Sequence, residues 1–338
     1  MDFRLSDRTG RIRRSVGSVG RPHNTANTDP PQPSPVIQPD AARGIRFLCA
    51  GVFVFSLQDA VVKQVSGDYP LTLVMTIRSI VAIPILLVMV QLEAGWRAIF
   101  TPHFRSLVSR AGLMFGAYTT YYMAFPAMNL AYAVALYFTV PLFVTALAGP
   151  FLGERIGAKV WAALTVGFGG VLVILQPGSG LFQWAALLSL MSALLYATSM
   201  LMARRIGIAQ AASVMTFYQN GVFLAGALLI AGGTHWMGIE DAGHPSLSFL
   251  VRPWTWPTGG DFLLIASCGV IASAGMLLLT HAYRISPANL VTPFEYTGIL
   301  WAPLWGFLFF GEVPLLTTVT GAVLIAVAGM FALHEARK

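Results

Sequence analysis

Four ionisable side chains fall inside otherwise apolar stretches of this sequence: Asp59, Lys63, Arg78 and Glu295. Such groups are costly in hydrocarbon, and they mark ligand sites and ion or proton pathways. Asp59 and Lys63 are four residues apart, one helical turn, where they can pair. With Arg78 they read as an ion-pair cluster, or as a gate or ligand-binding group. Glu295 has no cation beside it in sequence. A carboxyl group there can bind a cationic part of a ligand or carry a proton. The bland alternative is a carboxylate satisfied by Arg78, a tyrosine or backbone donors. Aromatic and amide groups supply the rest of a wall: Tyr118, Tyr121, Tyr122, Tyr137, Tyr196, Tyr218, Gln219, Asn220, Tyr296 and Trp301. Rings of this kind stack on planar ligands and donate hydrogen bonds in a dry cavity, or pack as ordinary core.

The elements that position these groups are membrane helices. The chain has 338 residues, 56% hydrophobic and 10% charged. A soluble domain carries about 25% charged residues. A bilayer needs about 20 apolar residues per helix. Ten such stretches are expected, near 45–64, 70–92, 107–126, 129–151, 158–175, 181–203, 210–232, 261–283, 288–310 and 314–334. Most connections are short. The exception, 233–260, carries Trp236, Trp254 and Trp256, as expected of a headgroup belt. With the N-terminus inside, 18 cations fall on the inner side or its loops and only Arg252 outside, while Lys63 and Arg78 lie within spans. This asymmetry predicts cytoplasmic termini in an inner membrane.

Residues 1–43 hold seven arginines and six prolines. They read as a disordered cytoplasmic tail, with Arg11, Arg13 and Arg14 placed to meet anionic lipid. The net charge of +7 lies mostly there and in loops, so nucleic acid is not an expected partner.

Two stretches resemble each other, LAYAVALYFTVPLFVTALAGPFLGE at Leu130–Glu154 and ANLVTPFEYTGILWAPLWGFLFFGE at Ala288–Glu312. Each closes on Gly-Glu and precedes a Gly-rich span. VMTIR at Val74–Arg78 echoes VMTFY at Val214–Tyr218. These matches divide the chain into two five-span repeats, 44–177 and 178–338. An odd span count inverts the second copy, an architecture common among transporters, with the site at the midplane. Glu154 and Glu312 are expected to bind backbone N–H groups at a helix start or an interfacial cation. Gly149 and Gly153 form a G-x-x-x-G pair, and Ala322 and Ala326 a similar one; these pack helices within a monomer or join a homodimer.

On these residues the chain resembles EamA-type ten-span members of the drug/metabolite transporter superfamily. The resemblance covers about 45–335 and is carried by the Gly-Glu span ends, Pro141, the Gly-rich spans, DAVVK at Asp59–Lys63 and the run Tyr283–Pro314. The second copy departs from the first in having Ile299 in place of Pro141, with Pro303 close by. The resemblance implies alternating access without ATP hydrolysis. The cargo it implies is a small organic metabolite, for instance an amino acid, or a planar metabolite such as riboflavin or S-adenosylmethionine. Protons are a coupling candidate.

No H-E-x-x-H or G-x-S-x-G occurs, the six histidines are scattered, and Cys49 and Cys268 lack metal-like spacing. An enzyme is therefore not expected, nor a cofactor or metal. A membrane scaffold or channel-like protein without carrier activity is the alternative. The aromatic lining with one carboxylate leans toward a planar, neutral-to-cationic metabolite.

Overall fold

A computed structural model describes residues 41–152, 157–176, 183–206, 210–285 and 292–335. The Gly153-Glu154 motif, and all of the tail up to residue 40, lie outside them. Among the described residues every regular element is helical. In order these are α1 (Ala41–Val65), α2 (Leu71–Glu93), α3 (Phe104–Ala124), α4 (Leu130–Tyr137), α5 (Val140–Leu152), α6 (Ala158–Leu175), α7 (Ala185–Ile206), α8 (Ala212–Trp236), α9 (Pro245–Val251), α10 (Gly259–Ile285), α11 (Gly298–Phe310) and α12 (Leu316–Glu335). Short 3₁₀ turns include Thr292–Thr297, directly before α11.

Seven helical stretches among the described residues are long and apolar enough to cross a membrane, and Leu316–Ala332 is a shorter apolar one. The chain is a multi-pass membrane protein. Besides that shorter helix, two further expected spans fall short of this measure for physical reasons. α3 has a span's length but carries Arg105, Arg110, tyrosines and threonines. α11 has only 13 residues, because the chain before it is wound as 3₁₀.

Helix breaks shape the centre of the bundle. The stretch from Leu130 onward is interrupted by a turn at Phe138–Thr139. Pro141 follows as the second residue of α5, where a missing N–H is harmless. The Thr139 hydroxyl donates to Leu136 O at 2.7 Å. At the second break, Thr297 donates to Phe294 O at 2.7 Å, just before α11 begins. The same bond thus closes both breaks, and the second needs no proline at Ile299.

The packing is paired. α1 lies along α10, and α3 along α7; α2 meets α10 while α3 meets α8. α2 also crosses α8, α6 crosses α12, and α4 touches α11. The α6–α12 crossing needs glycine: a Cβ on Gly321 would lie 2.6 Å from Gly170 O, and one on Gly170 2.8 Å from Gly321 O. Backbones approach this closely in lipid because van der Waals packing, not water exclusion, holds helices together there.

The connection after α8 is more ordered than a plain loop. It contains α9, and Trp254 Nε1 donates to Thr72 Oγ1 at 2.9 Å. The Arg252 guanidinium donates to Gly67 O, so this segment is tied to the α1–α2 turn.

Candidate functional site

A cavity of about 610 Å³ lies inside the bundle. That is within the usual range for small-molecule sites, about 300–1,000 Å³. It is lined by α1, α2, α3, the α4–α5 break, α7, α8, α10 and the Thr292–Thr297 turn. The turn and the break both bend side chains inward: Glu295 and Tyr296 from one, Tyr137 and Phe138 from the other.

Eleven of the fourteen expected wall residues border this cavity: Asp59, Arg78, Tyr118, Tyr121, Tyr122, Tyr137, Tyr196, Gln219, Asn220, Glu295 and Tyr296. Their rings form a continuous wall. Tyr121 and Tyr137 stand 4.7 Å apart between centroids, Tyr137 and Tyr196 5.7 Å, and Tyr118 and Tyr122 5.8 Å. Asn220 is fixed by donating to Ser79 O at 3.0 Å.

The expected ion-pair cluster does not form. Asp59 accepts a hydrogen bond from the Tyr121 hydroxyl at 2.9 Å and makes no ion pair with Lys63 or Arg78. Arg78 instead lies over the faces of Tyr118 and Phe223, 5.5 and 5.4 Å from their centroids. Lys63 turns away from the cavity. Its Nζ meets Glu312 Oε1 at 2.7 Å and donates to Met128 O at 2.7 Å. The pair was not foreseeable from helix spacing, because Glu312 arrives from another helix end. Gly311, at φ 63°, ends α11 in the left-handed region, and the chain folds back so that Glu312 N–H reaches Gly306 O. The other carboxylate oxygen, Oε2, accepts from Leu130 N–H at 2.8 Å. It serves as the cap of α4 that Asn129 does not supply. Both roles expected of Glu312 are present at once.

Tyr218 and Trp301 also miss the cavity. Tyr218 donates to Ile99 O at 2.6 Å, near the end of α2. Trp301 stacks on Trp305, with Phe53 at its edge. Conversely, the cavity takes residues the sequence did not single out. Arg110, counted among the inner loop cations, is a buried wall residue of α3. Gln58 donates to the Tyr122 hydroxyl. Only its position one before Asp59 hinted at it.

A second hollow of about 520 Å³ lies beyond the Lys63–Glu312 pair, lined by both partners with Asn129 and Phe310. Leu130, hydrogen-bonded to Glu312, borders the first cavity. The start of α4 therefore borders both hollows, Leu130 the first and Asn129 the second, and the ion pair lines the second.

Membrane helices wrapped around a ligand-sized cavity, with ionisable groups and two helix breaks at its wall, define a polytopic membrane protein with an internal binding site. Known proteins narrow this class. The EamA-like transporter family matches residues 42–176. The pseudopaline exporter of Pseudomonas aeruginosa is 31% identical over 84% of this chain and 94% of its own length. The riboflavin transporter of Rhizobium johnstonii is 33% identical over 62% of this chain and 63% of its own. An S-adenosylmethionine uptake transporter of Rickettsia felis is 24% identical over 68% of this chain and 72% of its own. One solved crystal structure superposes with a TM-score of 0.57 at 19% identity, over 88% of this chain and 98% of that one, a likeness of fold. The chain belongs to the EamA-like transporter family. The family and these relatives are transporters, not enzymes.

Proposed function

We propose that the protein is a secondary-active carrier that moves a small organic metabolite across the inner membrane by alternating access. The observation that carries this reading is the ring-lined cavity against which both helix breaks abut, with Asp59, Arg78 and Glu295 in its wall. Broken helices with polar backbone at a central cavity are what a carrier uses to bind cargo within the bilayer.

The architecture in this proposal is ten spans in two inverted five-span units, 44–177 and 178–338, with both termini cytoplasmic. Three observations support it. The family match covers 42–176, close to the first unit. The offset of 158 residues between the repeated stretches (130 to 288) also carries Thr139 onto Thr297 and α6 onto α12. The helix contacts come in exchangeable pairs, α1 with α10 answering α7 with α3. The cation asymmetry supports the orientation.

In this reading the Lys63–Glu312 pair is the outer gate, and the second hollow is the vestibule beyond it. Glu295 couples cargo to protons. The relatives' cargoes and the aromatic wall together favour a planar metabolite of the riboflavin or S-adenosylmethionine kind, or an amino acid. The homodimer expected as an alternative use of the small-residue pairs stays part of the proposal.

The test is uptake into proteoliposomes of labelled riboflavin, S-adenosylmethionine and aromatic amino acids. Saturable uptake accelerated by unlabelled compound on the far side is the expected result. Uptake that is linear in concentration and indifferent to the far side would indicate a channel, and no uptake of any compound a scaffold.

A further inference from the structure

Two guanidinium groups face the cavity with no acidic partner among the described residues. Arg78 and Arg110 are 6% and 7% exposed, and neither makes an ion pair among the described residues. Nε and Nη1 of Arg78, and Nε of Arg110, are buried without a hydrogen-bond partner among the described residues. An arginine keeps its charge in a protein and presents five donors in a rigid fork. Burying such donors unpaired is costly, and folded proteins rarely tolerate it. Here two are tolerated in one wall. Asp59 and Glu295 share the cavity wall, but neither arginine pairs with them, and Asp59 accepts from the Tyr121 hydroxyl instead.

The wall also fixes how a partner must approach. The faces of Tyr118 and Phe223 hold the Arg78 guanidinium. Arg110 stands eight residues before Tyr118 on α3, about 12 Å along the axis at 1.5 Å per residue. It extends the positive surface of the same cavity by two turns. A fork held against rings matches the geometry of a planar or tetrahedral oxyanion in bidentate contact.

We propose that the cargo carries an oxyanion, a carboxylate or a phosphate, that Arg78 anchors and Arg110 also attracts, with the cargo's planar part against the tyrosine wall. This rests on the carrier reading for its direction of use, and it replaces the neutral-to-cationic cargo expected from the carboxylate alone. The cargo is acidic or zwitterionic, which among the compounds proposed above fits S-adenosylmethionine and amino acids and sets aside riboflavin, which has neither a carboxylate nor a phosphate.

The test uses benzoate and phenyl phosphate, with benzamide as the uncharged match of benzoate, on the full chain purified in lipid nanodiscs at constant ionic strength. A ligand that binds the folded state raises its melting point. Both acids are expected to raise the wild-type melting point and benzamide to leave it unmoved; the stronger of the two acids names carboxylate or phosphate. Arg78→Gln should weaken the acid effect roughly tenfold or more, the scale of a lost charged hydrogen-bond pair. Arg78→Lys, which keeps the charge and loses the fork, should retain part of it. Arg110→Gln should weaken it less. The unliganded melting points show whether each variant is folded, and the acid-versus-amide comparison needs no variant.

Equal shifts by benzoate and benzamide, an undiminished acid effect in folded Arg78→Gln, or no shift by either acid would overturn the inference. Uptake in proteoliposomes separates it from the carrier reading. Uptake that persists without an acid preference leaves the carrier and removes the oxyanion site. Acid binding without uptake of any compound leaves the site and removes the carrier.

Discussion

Phe138 and Tyr296 lie ring against ring, 5.8 Å between centroids and 33° between planes. They are also separated by 158 residues (138 to 296), the offset that relates the two repeated stretches. Each therefore packs on its own counterpart, at the two points where a helix is broken. Gly298 makes room for this contact: a Cβ there would lie 2.5 Å from Phe138 Cζ. Gly298→Ala should push the ring out of register and cost about 1–3 kcal/mol, as overpacking does. The melting point should fall and uptake with it, and Phe138→Leu in the same chain should restore part of both. Gly169→Ala, where a Cβ meets nothing within 4 Å, is the control that should change neither. A Gly298→Ala protein with wild-type melting and uptake would show that the break tolerates displacement.

The Lys63–Glu312 pair offers a way to separate stability from gating. The two side chains are 10% and 18% exposed, and Lys63 keeps its bond to Met128 O when Glu312 is altered. Glu312→Gln should therefore destabilise by less than the roughly 3–5 kcal/mol of breaking a fully buried pair. Replacing both, as Lys63→Met with Glu312→Leu, should recover much of that loss, since apolar isosteres often equal a buried pair. Uptake should stay depressed in the double variant if the pair is a gate, because the barrier between the hollows no longer has a separable charge. Full recovery of uptake along with stability would make the pair a fastener only.

Much of the site was legible because polar groups are rare in apolar stretches and so announce themselves. Asp59, Arg78 and Glu295 stood out by charge, and Tyr118, Tyr137 and Asn220 by type within spans. What the sequence lacked was the rotational setting of each helix. Tyr218 and Asn220 are two residues apart, which turns them about 200° from each other on a helix of 3.6 residues per turn. Only Asn220 faces the cavity. Trp301 was lost in the same way: it lies about 100° around α11 from Ala302, which borders the cavity, and stacks on Trp305 instead. Lys63 was misjudged for another reason. Its local partner, Asp59, was visible, but Glu312 lies far along the chain and is delivered by a glycine turn. Arg110 was missed because Arg105 and the nearby connection made it look like one more inner cation, although it sits two turns inside α3.

The same rotational argument predicts unequal effects of aromatic substitutions. Tyr137 touches Tyr121, Tyr196 and Phe138 at the cavity wall. Tyr137→Ala should weaken binding of a planar cargo by at least the 0.5–1.5 kcal/mol that one aromatic contact supplies, about two- to tenfold in KM. Trp301→Phe should leave KM unchanged, since its ring stacks on Trp305 outside the cavity. Concentration dependence of uptake reads both. A KM rise in Trp301→Phe with Tyr137→Ala unaffected would place the cargo on the wrong side of α11 for this cavity.

Glu295 sits in the 3₁₀ turn before α11, on the cavity wall beside Tyr296. Its counterpart by the 158-residue offset is Tyr137 (137 to 295), so the two breaks present a carboxyl group on one side and a phenol on the other. A carboxyl group is the chemistry suited to carrying a proton. If that difference couples transport to protons, Glu295→Gln should abolish accumulation driven by an imposed pH gradient. Exchange of labelled for unlabelled cargo, which needs no net proton movement, should continue. The variant should remain folded, because glutamine keeps the side chain's shape and one acceptor oxygen, and its unliganded melting transition checks this. Gradient-driven accumulation equal to wild type in that variant would exclude Glu295 as the coupling group. Loss of exchange and accumulation together, in a folded protein, would instead assign Glu295 to holding the cargo.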